Sequence, residues 1–143
     1  MLAKKITYTN FNGEEVTETF YFNLTRAEVS EMQVNHPGGY SEYLERIVES
    51  KDTKEIVDAF TTFILDSYGE KSDDGRFFDK SEEMKKRFHT SEAYSVLLME
   101  MLEDPDKAAN FITSILPESN LSEDQKKELV EKTRARIEGK QEQ

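Results

Sequence analysis

The sequence predicts an α+β domain that is mostly helical, with about six helices behind an amino-terminal β-hairpin. Three observations lead there. Residues 4–9 and 14–22 alternate, are rich in β-branched and aromatic side chains, and are separated by an Asn-Gly pair. Beyond residue 25 the apolar residues recur at helical intervals. Ser, Thr or Asp stands ahead of several of those stretches, where a side-chain oxygen satisfies the free amides of a first turn.

Asn10-Phe11-Asn12-Gly13 forms the expected reversal, because Asn-Gly supplies the positive φ angles of a tight turn. Ile6 and Tyr8 then share a face with Val16, Phe20 and Phe22, interrupted by Glu18. A lone hairpin is marginal in water, so these aromatics must cover helices or meet another sheet. Thr25-Arg26-Ala27-Glu28 is a capping box opening a short helix, which Pro37-Gly38-Gly39 ends. A second short helix is expected over residues 40–49.

Asp52 or Thr53 caps a stronger helix whose Ile56, Phe60, Phe63 and Ile64 lie on one face, with Gly69 as its terminator. Residues 70–78 carry Asp74-Gly75 at a turn tip, either a second small β-hairpin or an ordered loop. Ser81 caps a polar helix ending near His89. Ser91 opens the most apolar helix, with Tyr94, Leu97, Leu98, Met101 and Leu102 on its stripe and Met99 off it. Asp104-Pro105, a cap followed by proline at the first helical position, opens a helix that buries Ala108, Phe111, Ile112 and Ile115 and stops at Pro117. A last helix is expected from Ser122 to about Glu138, with Leu129, Val130 and Ile137 too sparse for a strong stripe.

Charge divides the chain in two. The net charge is −11, yet residues 122–143 hold six acids and six bases, so the whole excess resides in residues 1–121. The expected organisation is therefore an acidic folded domain, 1–121, and a charge-neutral carboxy-terminal helix or tail, 122–143. So acidic a chain is a poor match for nucleic acid or an anionic membrane, both of which bind through Lys and Arg. A protein partner fits better. Without cysteine there is no disulfide or thiolate metal site. No signal-peptide layout and no apolar run near 18 residues is present, so the expected compartment is the cytosol where the chain is made.

Nothing in the sequence spells out a reaction. His36 and His89 stand on opposite halves of the chain without a local ligand partner. Residues 70–81 imitate a calcium loop at two places, but have Phe77 at the eighth and Ser81 where a bidentate glutamate belongs. Thirty acids make carboxylate pairs inevitable and hence uninformative. There is no phosphate-binding glycine loop and no nucleophile elbow. The expectation is a non-enzyme without metal or cofactor. The apolar excess is more telling: Met99 is off its helix stripe, and adjacent Phe77 and Phe78 would face opposite sides of a strand. Each either fills a small core or belongs to a contact patch, for which the pliant thioether of methionine is well suited.

Three segments then carry a resemblance. Thr19-Phe20-Tyr21-Phe22-Asn23-Leu24-Thr25-Arg26-Ala27-Glu28-Val29, Ser67 through Phe77, and Ser91-Glu92-Ala93-Tyr94 with Ala109-Asn110-Phe111-Ile112 through Pro117 resemble the tail assembly chaperones of long-tailed, siphovirus-type bacteriophages. With their spacing they cover most of residues 4–117. The resemblance implies a protein of the infected cell's cytoplasm that binds the tape measure protein, keeps it soluble, recruits tail tube subunits, and is absent from the mature virion. It also implies, in many such phages, a frameshifted longer form, whose junction would lie in the tail. Phe77, Phe78, Met99, Leu129, Val130 and Ile137 are the expected partner contacts, and self-association is left open. Two other classes compete: a structural tail component retained in the virion, and an acidic DNA mimic that inhibits a host protein.

Overall fold

A computed structural model describes residues 1–35, 53–116 and 131. The hairpin pairs β1 (Leu2–Thr9) with β2 (Glu15–Phe22), antiparallel, Leu2 opposite Phe22 and Thr9 opposite Glu15. That register puts Leu2, Lys4, Ile6 and Tyr8 on one face with Phe22, Phe20, Glu18 and Val16, as the alternation predicts. Glu18 interrupts this face as expected, and the Tyr8 hydroxyl donates a hydrogen bond to its carboxylate. The other face is polar, with Thr7 and Thr17 hydroxyls in contact at 2.7 Å.

Five helices stand among the described residues where about six were expected: α1 (Arg26–Asn35), α2 (Thr53–Ser67), α3 (Glu82–His89), α4 (Glu92–Glu103) and α5 (Pro105–Ile115). The helix expected at 40–49, the boundary expected at residue 121 and all of the terminal helix except Glu131, which is helical, lie outside the described residues. Four of these starts have the expected cap, while the Asp52 expected ahead of α2 lies outside the described residues. Thr25 Oγ1 accepts the Glu28 amide at 3.1 Å while the Glu28 carboxylate accepts the Thr25 amide at 3.0 Å. Ser81, Ser91 and Asp104 accept first-turn amides of α3, α4 and α5.

A second hairpin is present, formed by β3 (Tyr68–Lys71) and β4 (Phe78–Asp79). The reading of Gly69 as the terminator of α2 is corrected here. The helix ends at Ser67, whose hydroxyl bonds back to the carbonyls of Phe63 and Ile64, and the chain passes straight into β3. Gly69 sits within that strand opposite Tyr21, and a Cβ there would stand 2.7 Å from both the Asp79 carbonyl oxygen and the Phe78 ring. The glycine is needed for close packing of β4 and not to stop a helix.

The four strands form one antiparallel sheet in the order β1-β2-β3-β4. Helix α4 packs on β1, α3 on β3, and α4 touches both α3 and α5. Between sheet and helices lies an aromatic interior. The Phe22 ring meets Phe111 edge-on at 5.1 Å and Phe88 at 5.9 Å, and Tyr68 stacks on Phe88 at 4.1 Å. Of the predicted helix faces, Ile56, Phe60, Phe63, Ile64, Tyr94, Leu97, Met101, Ala108, Phe111, Ile112 and Ile115 are buried, while Leu98 and Leu102 of the α4 stripe are only partly buried against the core.

One lysine fastens the junctions between these layers. Lys80, just after β4, donates to the Asn23 carbonyl at 2.6 Å, the Glu28 carboxylate at 2.6 Å and the Asp66 carbonyl at 3.0 Å. It thereby joins the end of β2, the start of α1 and the last turn of α2. Burial tends to raise the Glu28 pKa, but the bonds from Lys80 and Thr25 outweigh it and hold the carboxyl below its ordinary value. Burial pushes the Asp66 carboxyl upward, only partly countered by Lys85 and Lys80.

Candidate protein-binding surface

The turn between β3 and β4 is built to hold its side chains in place. Ser72 Oγ donates to Asp74 Oδ1 at 2.7 Å and accepts the Phe77 amide at 3.0 Å. The same carboxylate oxygen accepts the Arg76 amide at 3.0 Å, and Gly75 takes the positive φ of 74° that the reversal requires. These bonds hold the Asp74 carboxyl below its usual range. The two adjacent phenylalanines part, Phe78 starting β4 and Phe77 standing just ahead of it in the turn. Phe78 is half-buried, its ring over Gly69 and 5.7 Å from the Lys80 ammonium. Phe77 is 64% exposed, with the Arg76 guanidinium 5.1 Å from its ring centre.

A second exposed phenylalanine was not singled out from the sequence. Phe11 is 78% exposed at the tip of the first hairpin. Asn10 Oδ1 accepts the amides of Asn12 and Glu14 there, and Gly13 has a φ of 81°. The signal was present: a large apolar side chain inside a four-residue reversal cannot turn back to the sheet face. Because β3 runs antiparallel to β2, the two turns project from the same end of the sheet.

On α4 the exposed residues are Glu92, Ser95, Val96, Met99 and Glu103. Met99 is 47% and Val96 37% exposed, while Leu97 and Met101 on the opposite side are buried. The expected displacement of Met99 from the core stripe is therefore present, and Val96 extends the patch. Glu100, half-buried beside it, is engaged by Lys4 at 3.0 Å and Lys107 at 3.5 Å.

These residues sit on a fold for which comparison finds a family. A family model described as phage tail assembly chaperone matches residues 1–143, the full length of the chain. The chain belongs to that family. Neither the curated proteins nor the solved structures include a match.

Among the described residues the large exposed apolar side chains of the chaperone are Met1, Phe11, Phe77, Val96 and Met99. Phe77 lies at the β3-β4 end of the sheet and Met99 on the helix that packs over β1, so they do not form one patch. Leu129, Val130 and Ile137 lie outside the described residues, as does His36. His89 is exposed at the end of α3, its ring edge-on to Tyr94 at 4.9 Å. Among the described residues no three His, Asp or Glu side chains are grouped to hold a metal ion. No described helix is long and apolar enough to cross a membrane. Family membership places the chaperone in tail assembly, and thus in interaction with tail proteins.

Proposed function

We propose that this chaperone acts by binding and not by catalysis, holding the tape measure protein in solution in the host cytoplasm and recruiting tail tube subunits around it. Family membership over the whole chain carries the reading, and the surface gives it a physical means. Phe77, Phe11, Val96 and Met99 are exposed on a chain of net charge −11. Apolar side chains of this kind can cover apolar stripes of a long helical client while like charge keeps the complexes apart. Several small contacts also release more readily than one deep pocket, which suits a protein that departs before the virion is complete. Recruitment of tube subunits by a frameshifted longer form belongs to the same reading.

Coexpression tests it. The tape measure protein should be soluble with this chain and aggregated without it; equal solubility in both cases would end the proposal. Mass spectrometry of purified virions separates a departing chaperone from a retained tail component, which would be present in many copies.

A further inference from the structure

Strand β2 is paired along its whole length on one side and at one end on the other. Its ladder with β1 runs from Glu15 to Phe22, whereas its ladder with β3 sets Tyr21 opposite Gly69 and Phe22 opposite Tyr68 and goes no further. Beyond Gly69, β3 is held by β4, with Glu70 opposite Asp79 and Lys71 opposite Phe78. Where β2 and β3 part there is a recess of about 350 Å³ lined by residues 18–21 and 68–71.

Hydrogen-bond parity says which groups face the gap. The Asn10 amide donates to the Glu14 carbonyl across the first turn at 2.8 Å. In an antiparallel pair alternate residues bond the same neighbour, so even-numbered residues of β2 turn their amides and carbonyls to β1 and odd-numbered ones turn away from it. Tyr21 and Asn23 obey this: Tyr21 pairs with Gly69, and the Asn23 amide donates to the Ser67 carbonyl at 2.7 Å. Glu15, Thr17 and Thr19 point the same way, yet among the described residues no strand pairs with them there. All three are exposed, and none is the lysine or proline that blunts an edge. The outer edge of β1, by contrast, carries Lys4 and Lys5.

The surroundings point to an occupant. Phe11 and Phe77 are exposed on the two turns at this end of the sheet, and half-buried Phe20 lies at the root of the recess. Glu14, Glu15, Glu18 and Glu70 are exposed about the gap, with Lys71 the base in its lining. Val16, Glu18 and Phe20 share one face of β2, and Thr17 and Thr19 the other. A strand laid beside them is complementary when one row of its side chains is basic and apolar and the other is threonine-like.

We propose that the edge of β2 from Glu15 to Thr19 takes up an extended, basic segment of a partner protein as an added strand, with Phe11 and Phe77 as apolar contacts beside it. Main-chain hydrogen bonds supply the affinity, and the two rows of side chains supply the selectivity. The proposal rests on the protein-binding reading of this surface but not on which tail protein is the client.

The probe is a blocked peptide, Lys-Thr-Val-Thr-Lys-Thr-Val, added to the full chain and read by amide hydrogen exchange residue by residue. At saturation it should slow exchange at Thr17 and Thr19 by about tenfold or more, while Val16 and Glu18, already turned to β1, change little. Methylating one alternate set of peptide nitrogens should weaken binding by about tenfold or more, and methylating the other set should not, because a single row of amides meets β2. Replacing the lysines of the peptide by glutamate should weaken it too. Thr17→Pro removes an amide of the gap and none of the β1 ladder, so it should abolish the protection; should that variant fail to fold, the methylated peptides decide alone. The proposal is overturned by binding that leaves Thr17 and Thr19 unprotected, by equal binding of the parent and both methylated peptides, or by no binding at about 1 mM peptide. It is also overturned if these amides are protected before peptide is added, whether by a second copy, which makes protection rise with protein concentration, or by the chain itself. The fate of the tape measure protein in coexpression leaves each of these outcomes unchanged.

Discussion

Phe22 and Phe77 are the same side chain with opposite fates, and the contrast separates what holds this protein together from what it offers to others. Phe22 is wholly buried between sheet and helices, where its ring touches Tyr68, Phe88 and Phe111. Phe77 is held outward by a turn whose hydrogen bonds run through Ser72 and Asp74, and the guanidinium of Arg76 is near its ring. A phenylalanine that contributes little to its own fold yet sits in a turn fixed by side-chain hydrogen bonds is more useful as a contact than as packing.

The largest effect should come from the interior. Phe22→Ala removes a ring at the centre of the aromatic cluster and should cost about 3–5 kcal/mol in urea unfolding, a large part of the roughly 5–15 kcal/mol typical of a domain. A loss under about 1 kcal/mol would mean that the cluster does not carry the fold.

An intermediate effect belongs to the Lys80 fastening. Lys80→Met keeps the stem over Phe78 but leaves the Glu28 carboxylate and two carbonyls without that donor, at a cost of about 1–3 kcal/mol. The pH dependence gives the sharper readout. Glu28 has its folded pKa lowered from an ordinary value of 4.5, so its contribution is complete above that value and is lost as pH falls through the lower folded value. Asp66, raised by burial, works in the opposite sense, because protonation relieves its cost. In Lys80→Met the acid-side loss due to Glu28 should shrink; an unchanged stability profile from pH 6 to pH 3 would rule out the ion pair as its source.

The smallest effect on stability should be at the surface. Phe77→Ala should change unfolding by no more than about 0.5 kcal/mol. It should nonetheless weaken capture of the tape measure protein by about 1 kcal/mol or more if Phe77 is a contact. A pull-down titration with the two purified proteins distinguishes this from a purely structural turn.

Local chemistry was legible and long-range chemistry was not. The capping box at Thr25-Glu28, the buried face of α2 and the Asp104-Pro105 start of α5 each depend on residues within one or two turns, so periodicity and caps reveal them. Gly69 misled because glycine is a helix terminator by habit, whereas here it makes room for Phe78, a tertiary requirement no local pattern displays. Lys80 was passed over for the same reason: its partners Asn23 and Glu28 lie far away in the chain. On the surface, parity along a strand said that Phe77 and Phe78 would part without saying which faces out, and departure from the stripe placed Met99 outside. Phe11 was read only as part of a turn, though its size in so short a reversal marked it as exposed.

The direct passage from α2 into β3 also bears on how the chain reaches this state. The β1-β2 turn closes between Thr9 and Glu15, while the next pairing joins residues as distant as Phe22 and Tyr68. Closing the longer loop costs roughly 2 kcal/mol more in chain entropy. The first hairpin is thus the natural early element, and β3 can add only after α2 has delivered it to the edge of β2. Until β3 pairs, that edge of β2 has unpaired amides and carbonyls, the arrangement through which strands of neighbouring chains associate.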